Sequence, residues 1–482
     1  ALDSVAGIRA VLCLFEGVCT GAADGYGRMT GSPALTLLHL GPGFANGIAN
    51  LHNARRAHTP IVNLIGDHAS WHLEHDAPLT SDVESLARPV SAWVRSVEHA
   101  NELAPAVAEA IAAARTPPGG VATLVARSDA QWNDAAGPRA AQAPAPAPAV
   151  PPKRIARAAD LLKAPGSPAL LLGGAALRGD PLRRAQRIAA GSGCRLISDT
   201  FVPRLERGAG VPPVERLPYF PEQARAFLEP VSALVVVGSR PPVSFFGYRG
   251  QPSLLAPDAT ESFVLAHPGE DLAGALDALA ERAGSAEAAP SLAAPPQPEP
   301  PTGGLSPETL GAALAATQPE GAIVVDEAAT SGLPWFLASA GSPPHDLLGL
   351  TGGAIGQGLP CATGAALACP ERRVIAFQAD GSGAYTLQAL WTQAREGLDV
   401  TTVLCSNRSY RILQVELARA GIAEPGPVAR SLTELDGPPL DWCALARGFG
   451  VPASRPANAE ELATALQKSF AEPGPHLVQV DL

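Results

Sequence analysis

A carboxylate and an amide follow two apolar runs, in a pattern that suits a metal ion. Asp380 and Gly381 come soon after the run 374–377, and 24 residues separate Gly381 from Ser406-Asn407, which follows the next apolar run. Carboxylate and amide oxygens are hard ligands suited to Mg²⁺, which can also hold a diphosphate. The alternative interpretation is that Asp380 caps a helix and Asn407 forms a turn.

Three histidines stand at a spacing that would place them on one face of a helix. His68, His72 and His75 lie four and three residues apart. Three such histidines can hold Zn²⁺, which makes a zinc site one interpretation of this segment. Histidines on an exposed loop are the other interpretation.

The elements that would position these residues are short apolar runs alternating with alanine-rich helical stretches. Continuous apolar strands separated by helices predict parallel sheets covered on both faces. Two Ala/Pro-rich linkers, 134–154 and 283–303, divide the chain into segments 1–133, 155–282 and 304–482. We therefore predict an α/β fold with three doubly wound parallel-sheet domains. The predicted strands are 34–38, 61–65, 122–125, 169–172, 196–198, 233–237, 263–266, 322–325, 374–377, 400–405 and 477–480.

Composition narrows the function. With 46 acidic and 35 basic side chains, the 482-residue chain has a formal charge of -11, which argues against a nucleic-acid-binding surface. None of the three lysines belongs to a Gly-Lys-Ser/Thr phosphate loop, which excludes a P-loop nucleoside triphosphatase. Seven scattered cysteines and the lack of a signal peptide or long apolar run favour a cytoplasmic protein without membrane contact. Because the chain begins at Ala1 without methionine, we expect part of the natural terminus to be absent from this numbering.

The metal pattern resembles that of the thiamine diphosphate enzymes, in which Gly-Asp-Gly precedes Asn-Asn by 24 to 28 residues. The resemblance implies that the side chains of Asp380 and Asn407 and the main-chain carbonyl of Ser409 bind Mg²⁺. It also implies cofactor contacts near the diphosphate from four further residues: Gly381, Ser382, Thr330 and Ser331. Ala379 and Ser406 replace the first glycine and the first asparagine of the family pattern, which leaves the strength of the site open.

Two further segments resemble the parts of this family that bind the aminopyrimidine ring. Gly353 fits the residue whose carbonyl accepts a hydrogen bond from that ring, and Ile355 fits the apolar residue that holds the cofactor bent, with a plain core residue as the alternative. Glu16 lies ten residues before Tyr26, as the activating glutamate lies before the family's Gly-Tyr-Ala-Arg. An acid that only complements a helix dipole is the alternative for Glu16.

The first segment resembles several branches of the family at once. Gly41-Pro42-Gly43 with the following Asn46 is similar to acetolactate synthase, and the resemblance implies cofactor contacts from Gly41 and Asn46. Leu38-His39 is instead similar to benzoylformate decarboxylase. His39 is thus a candidate proton donor and acceptor, with a structural histidine as the alternative. His75 falls where pyruvate decarboxylases carry a catalytic histidine pair, although the second histidine of that pair is missing here.

The resemblance covers all three segments and implies their order, pyrimidine-binding, central and diphosphate-binding, with the first strand of the pyrimidine-binding domain missing. It implies an enzyme that uses thiamine diphosphate and Mg²⁺ to decarboxylate a 2-oxo acid, and then protonates the enamine or ligates it to a second carbonyl. Acetolactate synthase proper, a catalytically silent assembly or regulatory subunit, and an unrelated α/β enzyme are the alternatives.

The resemblance also bears on partners. It implies a homodimer or homotetramer in which Glu16 of one subunit meets Asp380 of another. Relatives bind FAD around the central domain, but nothing in segment 155–282 demands it. Arg204, Glu206 and Arg207 there are expected on a solvated surface, with a nucleotide or inter-domain contact as the alternative.

Overall fold

Three β-sheets follow one another along the chain, and all but one of their strand pairings are parallel. The computed structural model describes residues 3–5, 7–289 and 295–482. Ala1 and residues 290–294 of the predicted second linker therefore lie outside the described residues. The prediction of an α/β fold with three parallel-sheet domains is confirmed.

The first sheet has four strands in the order β1-β2-β4-β3. β4 is buried over six consecutive residues because helices cover both faces of the sheet, whereas β1 alternates between buried and exposed positions. The elements are α1 (Glu16–Thr30), β1 (Ala34–His39), α2 (Leu40–Ala57), β2 (Ile61–Asp67), α3 (Val83–Ala87), β3 (Trp93–Val97), α4 (Ala100–Arg115), β4 (Val121–Arg127) and α5 (Ser128–Trp132), with a 3₁₀ turn at Ser70–His75.

The middle region builds a five-stranded sheet in the order β10-β9-β5-β6-β8. Its central strands β5 and β9 are buried along their whole length, as their unbroken apolar sequences predict. The elements are α6 (Pro152–Lys163), β5 (Ala169–Leu172), α7 (Gly179–Ser192), β6 (Arg195–Ser198), β7 (Leu205–Arg207), β8 (Glu215–Arg216), α8 (Pro221–Leu228), β9 (Ala233–Val237), β10 (Glu261–Ala266) and α9 (Leu272–Ala283).

The third sheet has seven strands in the order β15-β16-β14-β13-β11-β12-β7. Strands β13 and β14 are parallel neighbours in this sheet, and the predicted metal ligands follow their carboxyl ends. The elements are α10 (Pro307–Thr317), β11 (Ile323–Glu327), α11 (Gly332–Ala338), β12 (His345–Gly349), α12 (Gly358–Ala368), β13 (Val374–Ala379), α13 (Asp380–Gly383), α14 (Ala389–Glu396), β14 (Val400–Ser406), α15 (Arg411–Arg419), α16 (Pro427–Ser431), α17 (Trp442–Gly448), β15 (Ala453–Ser454), α18 (Ala459–Ala471) and β16 (His476–Asp481).

Strand β7 leaves the middle region and pairs antiparallel with β12, at the edge of the third sheet. Arg204, just before it, forms a bidentate pair with the buried carboxylate of Asp346, 2.6 Å from Nε to Oδ1. Arg207 stacks on Phe336, with its guanidinium carbon 3.7 Å from the ring centroid. The expectation of a solvated charged surface here is wrong, because these arginines are ion-paired or stacked between two regions of the chain.

Helices α1 and α12 cross in close contact and join the first region to the third. A Cβ on Gly364 would lie 1.8 Å from the carbonyl oxygen of Ala22, and one on Gly25 would lie 2.0 Å from that of Cys361. The same crossing buries the Asp24–Arg28 ion pair, whose Nη2–Oδ2 distance is 2.6 Å. Glycine is thus required on both helices because their backbones touch.

The predicted linkers contain little regular structure. Residues 134–151 form no helix or strand, and α6 begins at Pro152, inside the first predicted linker. The exact domain boundaries stay a prediction, since β7 crosses from one region to another. Within the part of the chain that the structure describes, every helix is too short or too polar to cross a membrane.

Candidate active site

Three strand ends carry non-glycine residues in the left-handed backbone region. Leu40, Ala329 and Arg408 have φ values of 56°, 51° and 54°, and each follows the end of a strand by one or two residues: β1, β11 and β14 respectively. Such a conformation costs free energy in an L-residue and is commonly retained at functional sites. The strained turns therefore mark the same strand ends at which the sequence predicts the site.

Glu16, His39 and Asn46 come together around the start of α2. Asn46 Nδ2 donates to Oε2 of Glu16 over 3.1 Å. A Cβ on Gly43 would lie 3.2 Å from Oε1 of Glu16 and 3.5 Å from Cβ of His39, so this glycine lies between the two candidates. The structure thus places a carboxylate and an imidazole at one edge of the first sheet.

The neighbours of Gly41 and His75 lie in the segment between β2 and α3. Gly41 is buried, and a Cβ there would lie 2.3 Å from Oγ of Ser81, so its small size serves packing against that loop. His75 ends an exposed 3₁₀ turn, where Nε2 lies 3.8 Å from Oε1 of Glu74 and the ring contacts His72 by its edge. The catalytic role of His75 and the cofactor contact of Gly41 stay predictions.

Asp380 is buried at the carboxyl end of β13 and faces the loop that follows β14. Its Oδ1 accepts from the N–H of Gly381 over 2.8 Å, and its Oδ2 accepts from the N–H of Arg408 over 2.7 Å. Burial raises the pKa of this carboxyl above its ordinary value, and the main-chain donors oppose that effect. Asn407, beside Arg408, turns its Oδ1 toward the N–H of Ser409 at 3.0 Å.

This donor set fits a hard divalent cation. The partners of Asp380 are main-chain N–H groups, so each carboxylate oxygen keeps a lone pair for a metal ion, and a cation would offset the cost of burying the charge. Asn407 Oδ1 and the carbonyl of Ser409 lie on the adjoining loop. Across the described ranges, no three His, Cys, Asp or Glu side chains are grouped to hold a metal, so the zinc interpretation of the three histidines gains no support.

The four residues predicted near a diphosphate differ in exposure and in their contacts. Gly381 is needed where it stands, because a Cβ would lie 2.6 Å from the Tyr410 ring. Thr330 is exposed at the strained turn after β11. Ser331 is buried, and Ser382 Oγ is bonded internally to Gln378 Nε2 at 2.6 Å. Their contacts with a diphosphate stay predictions.

The loop of Gly353 and Ile355 spans the gap between the first and third regions. Asn53 Nδ2 on α2 donates to the carbonyl of Ala354 over 2.8 Å, and Gly353 has a φ of 73°. Ile355 is 36% exposed although its side chain is apolar. Such exposure is typical of a residue that contacts a ligand or a partner surface. A Cβ on Gly353 would lie 2.6 Å from the Phe245 ring.

Several residues around this loop escape prediction from the sequence. Asn50 Nδ2 donates to the carbonyls of Gly17 and Gly356, so one side chain bridges the starts of α1 and α12. Glu327, at the end of β11, receives several main-chain N–H groups of the same loop. The sequence contains only weak signals for these two residues. Asn50 is one of two asparagines three residues apart on α2, and Glu327 is a second acid beside Asp326.

A cavity of about 420 Å³ lies at the opposite end of α1 from Glu16. Its lining includes Arg28, His58, Gly174, Arg178 and Glu270, and it contains none of the predicted site residues. It is therefore separate from the candidate active site.

Comparison with known proteins gives consistent matches at both ends of the chain. Residues 1–86 match the family model "Thiamine pyrophosphate enzyme, N-terminal TPP binding domain", and residues 336–480 match the corresponding C-terminal TPP binding domain. These two segments contain Glu16 and Asp380 respectively.

Whole-chain relatives extend this likeness. The chain is 50% identical to the Mycobacterium tuberculosis protein named "Putative acetolactate synthase large subunit IlvX", over 100% of this chain and 92% of that one. It is 30% identical to a benzoylformate decarboxylase of Pseudomonas aeruginosa, over 98% of this chain and 91% of that protein. The structure of a thiamine diphosphate-dependent 4-hydroxybenzoylformate decarboxylase from Rhodococcus jostii superposes with a TM-score of 0.82 at 24% identity, covering 98% and 91% of the two chains. At that identity the superposition shows a shared fold and nothing further.

Proposed function

Because the chain belongs to the thiamine pyrophosphate enzyme family, we propose that it is a thiamine diphosphate- and Mg²⁺-dependent enzyme that decarboxylates a 2-oxo acid. The product is then protonated or joined to a second carbonyl compound. The observation that carries this proposal is the placement of buried Asp380 against the Asn407–Ser409 loop, at the edge where β13 and β14 end. Glu16 and His39 supply the acid–base groups, and Asn46 orients the carboxylate of Glu16.

Two groups of residues would bind the two ends of the cofactor. Asp380, Asn407 and the carbonyl of Ser409 would hold Mg²⁺, which in turn would hold a diphosphate. Gly353 and Ile355 would face the pyrimidine end of the cofactor. When bound, thiamine diphosphate supplies a thiazolium ring that accepts the electron pair released as CO₂ leaves a 2-oxo acid.

Glu16 is the residue that we assign to proton control at the cofactor. Its carboxylate is oriented by Asn46 Nδ2, so one oxygen is fixed and Oε1 lies beside Gly43. A carboxylate held in this way would accept a hydrogen bond from the N–H of a protonated ring and so stabilise the charge on that ring. His39 lies on the other side of Gly43, and we assign its imidazole as the second proton donor and acceptor.

Two departures from the family pattern motivate the alternative of a catalytically silent relative. Ala379 ends β13 and its carbonyl accepts from Ser382 Oγ over 3.2 Å, while Ser406 ends β14 and its carbonyl accepts from the N–H of Leu482. Neither side chain belongs to the proposed ligand set, so the substitutions leave Asp380 and Asn407 in place. This placement favours an active enzyme over a silent subunit.

Acetolactate synthase activity is the second candidate for the reaction. The 50% identical relative carries that name, whereas the 30% identical relative is named for decarboxylation of benzoylformate. The two reactions share the decarboxylation and differ in what receives the product. The side chains named above do not distinguish them, so the product must.

Product analysis by mass spectrometry tests the proposal. The protein is incubated with thiamine diphosphate, Mg²⁺ and a panel of aliphatic and aromatic 2-oxo acids. We expect CO₂ release with at least one of them; an aldehyde identifies a decarboxylase, and an acetohydroxy acid or hydroxyketone identifies a ligase. Cofactor binding without CO₂ release from any panel member would favour the silent relative instead.

A further inference from the structure

Glu327 is a buried carboxylate that gathers four N–H donors from two separate segments. It ends β11 and is 5% exposed. Its Oε1 accepts from the main-chain N–H groups of Gly356, at 2.8 Å, and Gln357, at 3.1 Å. Its Oε2 accepts from the N–H of Gly358, at 2.8 Å, and from Nε2 of Gln378, at 2.9 Å.

The charge state of this carboxyl follows from its partners. All four groups donate, so a proton on Glu327 would point at another donor and find no acceptor there. Burial raises the pKa of Glu327 above its ordinary value, and the Gln378 amide and the three main-chain N–H groups oppose that rise. The four donors favour the ionised carboxylate, which they stabilise by charge-assisted hydrogen bonds.

The carboxylate also stabilises the start of α12. The first N–H groups of a helix lack partners within it, and the N-terminal end of the helix favours a negative charge. Gln357, at the N-cap, makes no side-chain capping bond, so Glu327 caps this helix from a neighbouring strand. Gly358 is required there, because a Cβ would lie 2.2 Å from Gln378 Oε1 and 2.9 Å from Glu327 Oε2.

These bonds fix one end of the loop that carries Gly353 and Ile355. The other end is held by Asn53, which both accepts from the N–H of Ala354 and donates to its carbonyl. Ile355 is the residue between these two anchors, and its side chain is free to face a ligand. The position of Ile355 is therefore set by Glu327 on one side and by Asn53 on the other.

The same carboxylate reaches the segment of Asp380 through Gln378. Gln378 Nε2 donates both to Oε2 of Glu327 and to Oγ of Ser382, at 2.9 and 2.6 Å. Ser382 lies two residues after Asp380, in the turn that follows β13. A continuous chain of buried hydrogen bonds thus links the loop predicted to face the pyrimidine with the turn predicted to face the diphosphate.

We propose that Glu327 is a positioning residue, which holds the Gly353–Gly358 loop at a fixed distance from the Asp380–Ser382 turn, so that both ends of one extended cofactor meet groups already in place. This proposal rests on the proposed function, because it takes thiamine diphosphate as the ligand. Both carboxylate oxygens of Glu327 already accept hydrogen bonds from the loop and from Gln378. Glu327 therefore acts on the site through these partners and not by direct contact with the cofactor.

The test compares Glu327→Gln with the wild type by hydrogen exchange without cofactor and by calorimetric titration of thiamine diphosphate at saturating Mg²⁺. The amide would turn an NH₂ toward N–H donors and leave them unpaired. We expect faster exchange in peptides covering residues 352–358 and a cofactor Kd raised by about 10- to 100-fold, the range typical of lost supporting contacts. Asp346→Asn is the matched control, a buried carboxylate of the same sheet paired with Arg204 and Arg372.

Asp346→Asn should lower the melting temperature while leaving both loop exchange and cofactor Kd unchanged. Unchanged loop exchange in Glu327→Gln, or an unchanged Kd with a melting temperature lowered as in the control, would overturn the proposal. If Glu327→Gln does not fold, Gly358→Ala keeps the charge and displaces the carboxylate from the loop, and the same two readouts must change. A wild type that binds no thiamine diphosphate would instead contradict the proposed function, and with it the cofactor role assigned to Glu327.

Discussion

Glu16 illustrates how much of the candidate site depends on a single side chain. It begins α1, where an acid would in any case suit the helix dipole. The contact with Asn46 and the nearness of His39 across Gly43 are more than a dipole effect needs. The residue therefore has partners consistent with acid–base work.

Glu16→Gln should keep cofactor binding and remove most of the turnover, because the amide preserves shape but cannot hold a negative charge. We expect kcat to fall by about 100- to 10,000-fold, the usual range for general acid–base groups. Steady-state kinetics on the best 2-oxo acid checks this. Glu109→Gln, which only breaks a surface pair with Arg95, is the control and should leave kcat unchanged. Full activity in Glu16→Gln would remove the residue from its role.

The closeness of Asp380 and Asn407 could be predicted from the sequence for a physical reason. Asp380 and Asn407 follow consecutive parallel strands, β13 and β14, which are neighbours in the sheet, so strand ends alone bring them together. Glu327 could not be predicted in this way, because its partners are main-chain N–H groups of a loop about 30 residues away. The environment of His75 could not be predicted from the sequence either, since an exposed 3₁₀ turn depends on tertiary context.

At the scale of elements, the crossing of α1 and α12 brings the two ends of the chain together. The crossing depends on glycines, because a larger residue at these positions would push its side chain against the backbone of the other helix. Helix propensity favours alanine over glycine, so a substitution can separate the two effects.

Gly364→Ala should destabilise the protein by about 1–3 kcal/mol, because its Cβ would meet the Ala22 carbonyl oxygen and push the helices apart. Gly448→Ala in α17 is the matched control: it has open space, and should stabilise by up to about 1 kcal/mol. Urea unfolding midpoints measure both. Equal shifts in the two variants would show that the crossing is not tightly packed.

Strand β12 carries a buried histidine that couples stability to pH. His345 is 3% exposed, its Nδ1 lies 2.8 Å from the Pro343 carbonyl, and burial lowers its pKa from 6.5 to about 4. Well above pH 6.5 the imidazole is neutral in both the folded and the unfolded chain. Between that pH and about 4 the unfolded chain takes up a proton that the folded chain refuses, so stability is lost as the pH falls.

His345→Gln should remove this pH dependence. Between pH 7 and pH 5 the wild type should lose about 2 kcal/mol more stability than the variant, from about 1.4 kcal/mol per unit of pKa shift. Unfolding by urea at the two pH values gives the difference. The same loss in both proteins would mean that His345 titrates normally.

At the scale of the whole molecule, sequence patterns predict the sheets better than the contacts between them. Unbroken apolar runs such as β5 and β9 are recognisable because both faces are buried. β12 begins with two buried polar residues, His345 and Asp346, so its pattern does not look like a core strand. Arg204 and Arg372 pair with the buried Asp346 carboxylate. Strand β7 depends entirely on that neighbour.

The predicted assembly places Glu16 and Asp380 of one active site on different subunits. Co-expression of Glu16→Gln and Asp380→Ala chains tests this, because a mixed dimer would contain one site with both residues intact. Random mixing should then recover roughly a quarter of wild-type activity from two inactive parents. No recovery in purified mixed dimers would place both residues of a site on the same chain.

The most direct test of the account is a calorimetric titration of thiamine diphosphate into the wild type, with Mg²⁺ and with the metal chelated. We expect saturable binding that requires Mg²⁺, lost in Asp380→Ala because the buried ligand is gone. Asp481→Asn, a carboxylate at the end of the neighbouring strand β16 that pairs with Arg455, should bind like the wild type. Absence of binding to the wild type at saturating Mg²⁺, or retained Mg²⁺-dependent binding in Asp380→Ala, would contradict the site described here.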